Sequence, residues 1–171
     1  MKKITKTLLL LLVLVSFVTL TACGEKNVEG NLTDIMDRVY EKMLADVKEE
    51  DRPMLMTTDA LNPFEEATEE DVKGMVEYAI GTSEIDYKEI VYSEPPMSSI
   101  AYSVVLVRME EGADIEAAKT KIKESANPRK WMCVEVAKED VIVKSKGNLI
   151  ILIMVENETL REKIEEGFDN L

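Results

Sequence analysis

The apolar residues of this chain change period several times along its 171 positions. Leu32, Ile35, Met36, Val39, Tyr40, Met43, Leu44 and Val47 recur at intervals of three and four, which places them on one face of a helix. Asn31 stands where its side chain can accept from the orphan amides of the first turn. Asp34 and Arg38 are spaced to pair on the wet side. The string EEDRP breaks that helix, and Met54-Leu55-Met56 then reads either as a short edge strand or as a docked loop. Thr68-Glu69-Glu70-Asp71 has the form of a second helix start, with Thr68 as cap and acids complementing the helix dipole. Val72, Met75, Val76 and Ala79 continue it until Gly81.

The second half alternates differently. Ile85 to Ser93 reads as a strand that Glu94-Pro95-Pro96 turns. Ile100 to Met109 is apolar on both alternating faces, as a central strand must be. Ile115, Ala118, Ile122 and Ala126 form a helical stripe closed by Asn127-Pro128. Val141 to Val143 and Leu149 to Val155 flank the polar turn Lys146-Gly147-Asn148 and predict a hairpin. Leu160, Ile164, Phe168 and Leu171 line a last helix. This order predicts one α+β domain over 31–171, with a mostly antiparallel sheet of about four to five strands covered by three to four helices. No internal repeat is present.

Residues 126–136, ANPRKWMCVEV, interrupt the regular pattern and hold the only tryptophan of the chain. As a strand they place Met132, Val134 and Val136 on one side and Trp131 with Cys133 on the other. Alternatively, Asn127 caps a short helical turn with Pro128 at its first position. Either way Trp131 and Cys133 are expected together at the core edge, with Arg129 and Lys130 lying over the indole. Pro128, Arg129, Lys130, Trp131 and Cys133 are therefore the candidate binding or structural motif.

The N-terminus has another character. Lys2, Lys3 and Lys6 precede an apolar run from Leu8 to Leu20, the layout of an export signal. A thirteen-residue helix rises roughly 20 Å, short of the roughly 30 Å of a bilayer core. Leu20-Thr21-Ala22-Cys23 resembles the lipobox of bacterial lipoproteins. The resemblance implies cleavage of residues 1–22 and a diacylglycerol thioether on Cys23, followed by a polar tether through residue 30. At ~0.8 kcal/mol per buried methylene, two acyl chains of about fifteen carbons give roughly 20 kcal/mol, an effectively permanent membrane anchor. The domain is then expected on the outer, extracytoplasmic face of the cell membrane.

Charge narrows the partners. Loss of residues 1–22 removes three lysines and no acid, taking the formal charge from −13 to −16. Such acidity argues against nucleic acid and against electrostatic adhesion to anionic lipid. A divalent cation or a basic partner remains compatible. The acids Glu65, Glu66, Glu69, Glu70 and Asp71 are dense but lack the spacing and turn glycine of an EF-hand loop, so no metal ligand is assigned.

The search for catalytic machinery is short. The chain has no histidine, hence no standard triad, no histidine-type zinc site and no imidazole shuttle. With the Cys23 sulfur acylated, Cys133 lacks a disulfide partner, and a nucleophilic thiol wants a base beside it. Arg129 and Lys130 could lower its pKa, but burial as a small hydrophobe is the expected state. The glycines are too scattered for a phosphate loop, and carboxylates too numerous for any pair to stand out. Ser145-Lys146 falls in an exposed turn, where lysine stays protonated. Tyr87, Tyr92 and Tyr102 recur on adjacent strands, either as a binding platform or as closure of the core. No catalytic residue and no cofactor are assigned.

The strings SSIAYSVVLVR (98–108), EEGADIEAAKTKIK (110–123), PRKWMCV (128–134) and LIILIMV (149–155) together resemble a family of small lipoproteins of Gram-positive bacteria built on a domain of unknown function. PRKW-x-CV is the most specific of them. The resemblance implies a surface lipoprotein and supplies no catalytic residue. The expected function is a lipid-anchored, non-catalytic module that binds another envelope protein or a small ligand. Alternatives are an extracytoplasmic hydrolase using carboxylates or Cys133, and a cation-binding or structural envelope protein.

Overall fold

A computed structural model of the chain describes residues 26–171; the leader 1–22, with Leu20, Thr21 and Ala22, and the expected lipidation site Cys23 lie outside the described residues. In chain order the helices are α1 (Leu32–Asp46), α2 (Glu69–Ile80), α3 (Ile115–Ser125) and α4 (Glu158–Asp169). The strands are β1 (Met56–Asp59), β2 (Tyr87–Glu94), β3 (Tyr102–Met109), β4 (Ile142–Lys146) and β5 (Leu149–Val155). They form one antiparallel sheet in the order β1-β2-β3-β5-β4, so the fold is α+β.

Every residue of β3 and of β5 is buried. Successive side chains of a strand point to opposite faces, so a strand apolar throughout needs cover on both. On one face Tyr102, Val104, Leu106, Leu149, Ile151 and Ile153 pack against α1 and α4 through Ile35, Met36, Val39, Met43, Ile164 and Phe168. On the other, Val105, Val107, Ile150, Leu152 and Met154 meet Val76, Ile80, Ala118, Ile122, Trp131 and Val136 from α2, α3 and the segment after α3. The result is a sheet between two helical layers.

Local chemistry sets the helix ends. Asn31 Oδ1 accepts from the Thr33 amide at 2.7 Å. Thr68 and Asp71 form a complete capping box, and Gly81 closes α2 with φ +82°. A Cβ at Gly81 would sit 2.0 Å from the Ser125 carbonyl oxygen, so glycine there serves both the left-handed turn and the approach of α3. Asp34 and Arg38 do not pair; Lys42 and Asp46 do, at 3.2 Å.

Of the two readings of Met54-Leu55-Met56, the docked loop holds for Met54 and Leu55: Leu55 packs on the core, the Arg52 guanidinium before it donates to the carbonyls of Val47 and Leu44, and β1 begins only at Met56. The polar tether is shorter than residues 23–30. From Lys26 onward the chain is docked: Val28 is buried, and Arg108 at the end of β3 donates to the Val28 carbonyl at 2.6 Å and the Gly30 carbonyl at 2.5 Å. Glu89 holds the same guanidinium at 3.1 Å.

The α1–α4 layer is unusually close at Gly167, where a Cβ would lie 2.0 Å from the Val39 carbonyl oxygen. Gly74 within α2 meets nothing within 4 Å. Gly167→Ala is expected to destabilise the fold by about 1–3 kcal/mol through overpacking. Gly74→Ala should stabilise it by about 0.5–1 kcal/mol through helix propensity. Urea unfolding of the two variants reads both signs.

Candidate functional site

β2 ends at Glu94 and β3 begins at Tyr102-Ser103, and the register pairing Ser93 with Val104 brings these ends together. α2 lays Tyr78 beside them. The chain leaving α3 turns at Asn127-Pro128, where Asn127 Oδ1 accepts from the Arg129 amide at 3.0 Å. It then makes a closed loop: the Val136 amide donates to the Pro128 carbonyl at 2.9 Å, and the Met132 amide to the Ser98 carbonyl at 2.8 Å. Residues 131–136 are thus not the strand that the sequence offered; of the alternative, the Asn127 cap and a turn at Pro128-Arg129 are present, without a helix following them. Their hydrogen bonds run to the loop itself and to the β2–β3 connection.

This loop inserts Lys130 into the protein. Its side chain is 4% exposed and its Nζ lies 2.5 Å from Glu94 Oε1. The ammonium also donates to Ser103 Oγ at 3.1 Å, and lies 4.2 Å from the Tyr78 ring centre and 5.6 Å from that of Trp131. The Tyr78 hydroxyl donates to the second Glu94 oxygen at 2.7 Å. Tyr92 meets Tyr78 edge-on with ring centres 6.1 Å apart. A charge taken out of water must be paired and hydrogen-bonded, and here a carboxylate, a hydroxyl and two aromatic faces share that task.

The electrostatics follow from burial. Desolvation pulls the Lys130 ammonium below its ordinary value, with Glu94 pulling the other way. Burial and then the hydrogen bond to Glu94 push the Tyr78 phenol upward. On the opposite face of the same sheet end, Tyr40, Ser93 and Tyr102 bury their hydroxyls, and desolvation raises both phenols.

Lys130 and Ser103 stand at the separation of a serine–lysine nucleophile pair. One feature opposes that chemistry: Ser103 is fully buried, so no substrate carbonyl reaches its Oγ.

The predicted motif divides in space. Trp131 covers the core edge at 8% exposure, as its amphipathic ring suggested. Lys130 does not lie on the surface over the indole but passes beneath it. Arg129 leaves the ring altogether, pairing with Glu135 at 2.5 Å in solvent. Pro128 is half-buried and lends its carbonyl to the loop closure. Cys133 is exposed, contrary to the expected core position, and adopts φ +62°. The reason is geometric: Trp131 and Val136 both return to the core, so the residues between them bulge outward and one takes a left-handed turn. Met132 follows the same path and is exposed.

The tyrosines form no common platform. Tyr102 packs with the α1–α4 layer, whereas Tyr87 and Tyr92 pack with the α2–α3 layer. Ser145 and Lys146 are not in an exposed turn but end β4, half-buried and paired with Ile150 and Leu149, and Lys146 donates to the Asp169 carbonyl at 2.8 Å. Glu65, Glu66, Glu69, Glu70 and Asp71 are on the surface, where Thr68 holds Asp71 below the usual carboxylate range. Among the described residues no three such groups converge as metal ligands. A cleft of about 780 Å³ lies at the other end of the sheet beside Arg108, Glu89, Glu110 and Glu111. Glu94 and Tyr78 carried no sequence signal, because their partnership with Lys130 spans separate elements.

No protein-family model, no curated protein and no solved structure matches this chain.

Glu94→Gln leaves the ammonium buried without its countercharge and is expected to cost about 3–5 kcal/mol in urea unfolding. Adding Lys130→Met to that variant should recover most of the loss, since the second change removes the orphaned charge. Native Cys133 should react with an aqueous thiol reagent at the rate of an exposed cysteine. Protection until unfolding would return it to the core.

Proposed function

We propose that the chain is a lipid-anchored extracytoplasmic lipoprotein whose domain binds another component of the cell envelope and does not turn it over. The lipobox-like sequence at Leu20 to Cys23 and the resemblance to small Gram-positive lipoproteins support the anchor. One structural observation supports the rest: the two ends of the sheet differ in what they bind and what they expose. At the Arg108 end, the segment following Cys23 is gripped by two charge-assisted hydrogen bonds. β3 is eight residues long, which at ~3.3 Å per residue separates its ends by roughly 25 Å. At the far end stand the exposed side chains of Met56, Tyr78, Met97 and Met132. An anchored domain of this design keeps its polar, clamped end toward the lipid and offers its apolar residues to the space beyond.

The partner is an envelope protein or a small ligand; the acidity of the chain disfavours nucleic acid. Binding without turnover suits a sheet end whose buried ions serve cohesion. The test is mass spectrometry of the protein isolated from its own membrane. The expected product starts at Cys23 and carries a diacylglycerol on its sulfur, and Cys23→Ser should keep its leader. An N-terminus at Met1, or a processed Cys23 with a free thiol, overturns the anchor.

A further inference from the structure

The sheet has two edges, and they are treated differently. β4 carries Lys144 and Lys146, both tied to α4: Lys144 reaches Glu165 at 3.2 Å and Asp169 at 2.6 Å. Lysines on an edge strand discourage pairing with another chain. β1 has no such guard. Its four residues, Met-Thr-Thr-Asp, include no lysine or proline, and three of them are exposed.

The phase of its backbone is fixed. The Ala60 amide donates to the Ile90 carbonyl at 2.9 Å, one step beyond the pairing of Asp59 with Val91. In an antiparallel ladder bonded and non-bonded pairs alternate. Thr58 and Met56 therefore bond to Tyr92 and Glu94, whereas Thr57 and Asp59 turn their N–H and C=O groups outward. The large apolar side chains left exposed gather around this edge. Met54 and Met56 stand at its start, Phe64 follows it in the chain, and Tyr78 bonds the Glu94 with which Met56 pairs. Met97 and Met132 belong to the β2–β3 connection and the loop bonded to it at Ser98; Leu44 on α1 is the exception.

We propose that the open edge of β1 is the docking site for an extended, basic segment of another polypeptide, which adds to the sheet as a further strand. The inference deepens the binding role proposed above and rests on it only for orientation. Outward backbone groups at every second residue are satisfied by an extended peptide and by few other ligands. Side chains of the added strand opposite Met56 lie on its apolar side. Charge sets the partner's composition: Asp59 lies on the edge, Glu65 and Glu66 in the connection after it, and the chain as a whole carries −13. Lysine or arginine alternating with apolar residues answers both features. β1 pairs only with residues 91–94, the half of β2 away from the Arg108 clamp, so a tethered domain presents this edge to the exterior.

The test uses the membrane-purified chain in detergent micelles and a displayed library of random dodecapeptides. Enriched peptides are expected to alternate apolar and basic residues and to bind less well as salt rises. Thr57→Pro removes an outward N–H that the β1–β2 ladder does not use, a substitution edge strands tolerate. It should weaken those peptides by about tenfold or more with the thermal midpoint unchanged, while Thr57→Ala binds as the parent does. An absence of enrichment, or peptides indifferent to Thr57→Pro, overturns the proposal. So does a parent chain that sediments as a dimer and becomes monomeric on Thr57→Pro, because a second copy then owns the edge. The peptide readout does not depend on acylation, so this proposal and the anchor fail separately.

Discussion

Two strands that are apolar on both faces allow this chain no half-solvated sheet. Val104 and Leu106 look to one side, and Val105 and Val107 to the other. At ~25 cal/mol per Å² of apolar surface, leaving either side wet forfeits the largest favourable contribution to folding. Four helices are consequently recruited, two to each face, and β3 and β5 become the interior of a three-layered domain. The edges fall to β1 and β4, whose residues are exposed or half-buried.

Closing such a sandwich creates a difficulty at each end of the central strands, where polar residues and loops meet the core. The two ends resolve it with opposite logic. At one, Arg108 turns the incoming segment into part of the wall by bonding the Val28 and Gly30 carbonyls. At the other, the 126–136 loop folds over the opening and seals it with Lys130, whose ammonium is neutralised by Glu94 and enclosed by Tyr78 and Trp131. The buried pair holds the loop in one place, which in turn fixes where Met132 and Cys133 emerge. Function, in the reading proposed here, belongs to what that end leaves uncovered.

The elements were legible where a period was sustained. The α1 stripe from Leu32 to Met43 and the two-sided run of β3 each follow from spacing, and the helix caps at Asn31 and Thr68 follow from side-chain chemistry. The candidate motif was legible only in part. Trp131 sits where an amphipathic ring belongs, but a period of two cannot describe a loop whose chain reverses, so Cys133 was misplaced. Lys130 defied its residue type, since lysine is rarely buried unless paired and its partner lies 36 residues earlier, at the end of a strand. Long-range pairing of this kind leaves no mark in a single sequence. Arg108 was hidden similarly, as the last polar residue of an apolar run.

Native-state hydrogen exchange measures most directly whether a doubly covered pair of strands, with one edge left open, governs the molecule. The account predicts that the amides of Val105, Leu106, Ile151 and Leu152 exchange only through global unfolding, and that those of Thr57 and Asp59 exchange at rates near an unstructured chain. Equal protection of Thr57 and of Leu106, or release of the β3 amides at a free energy well below that of global unfolding, would contradict it.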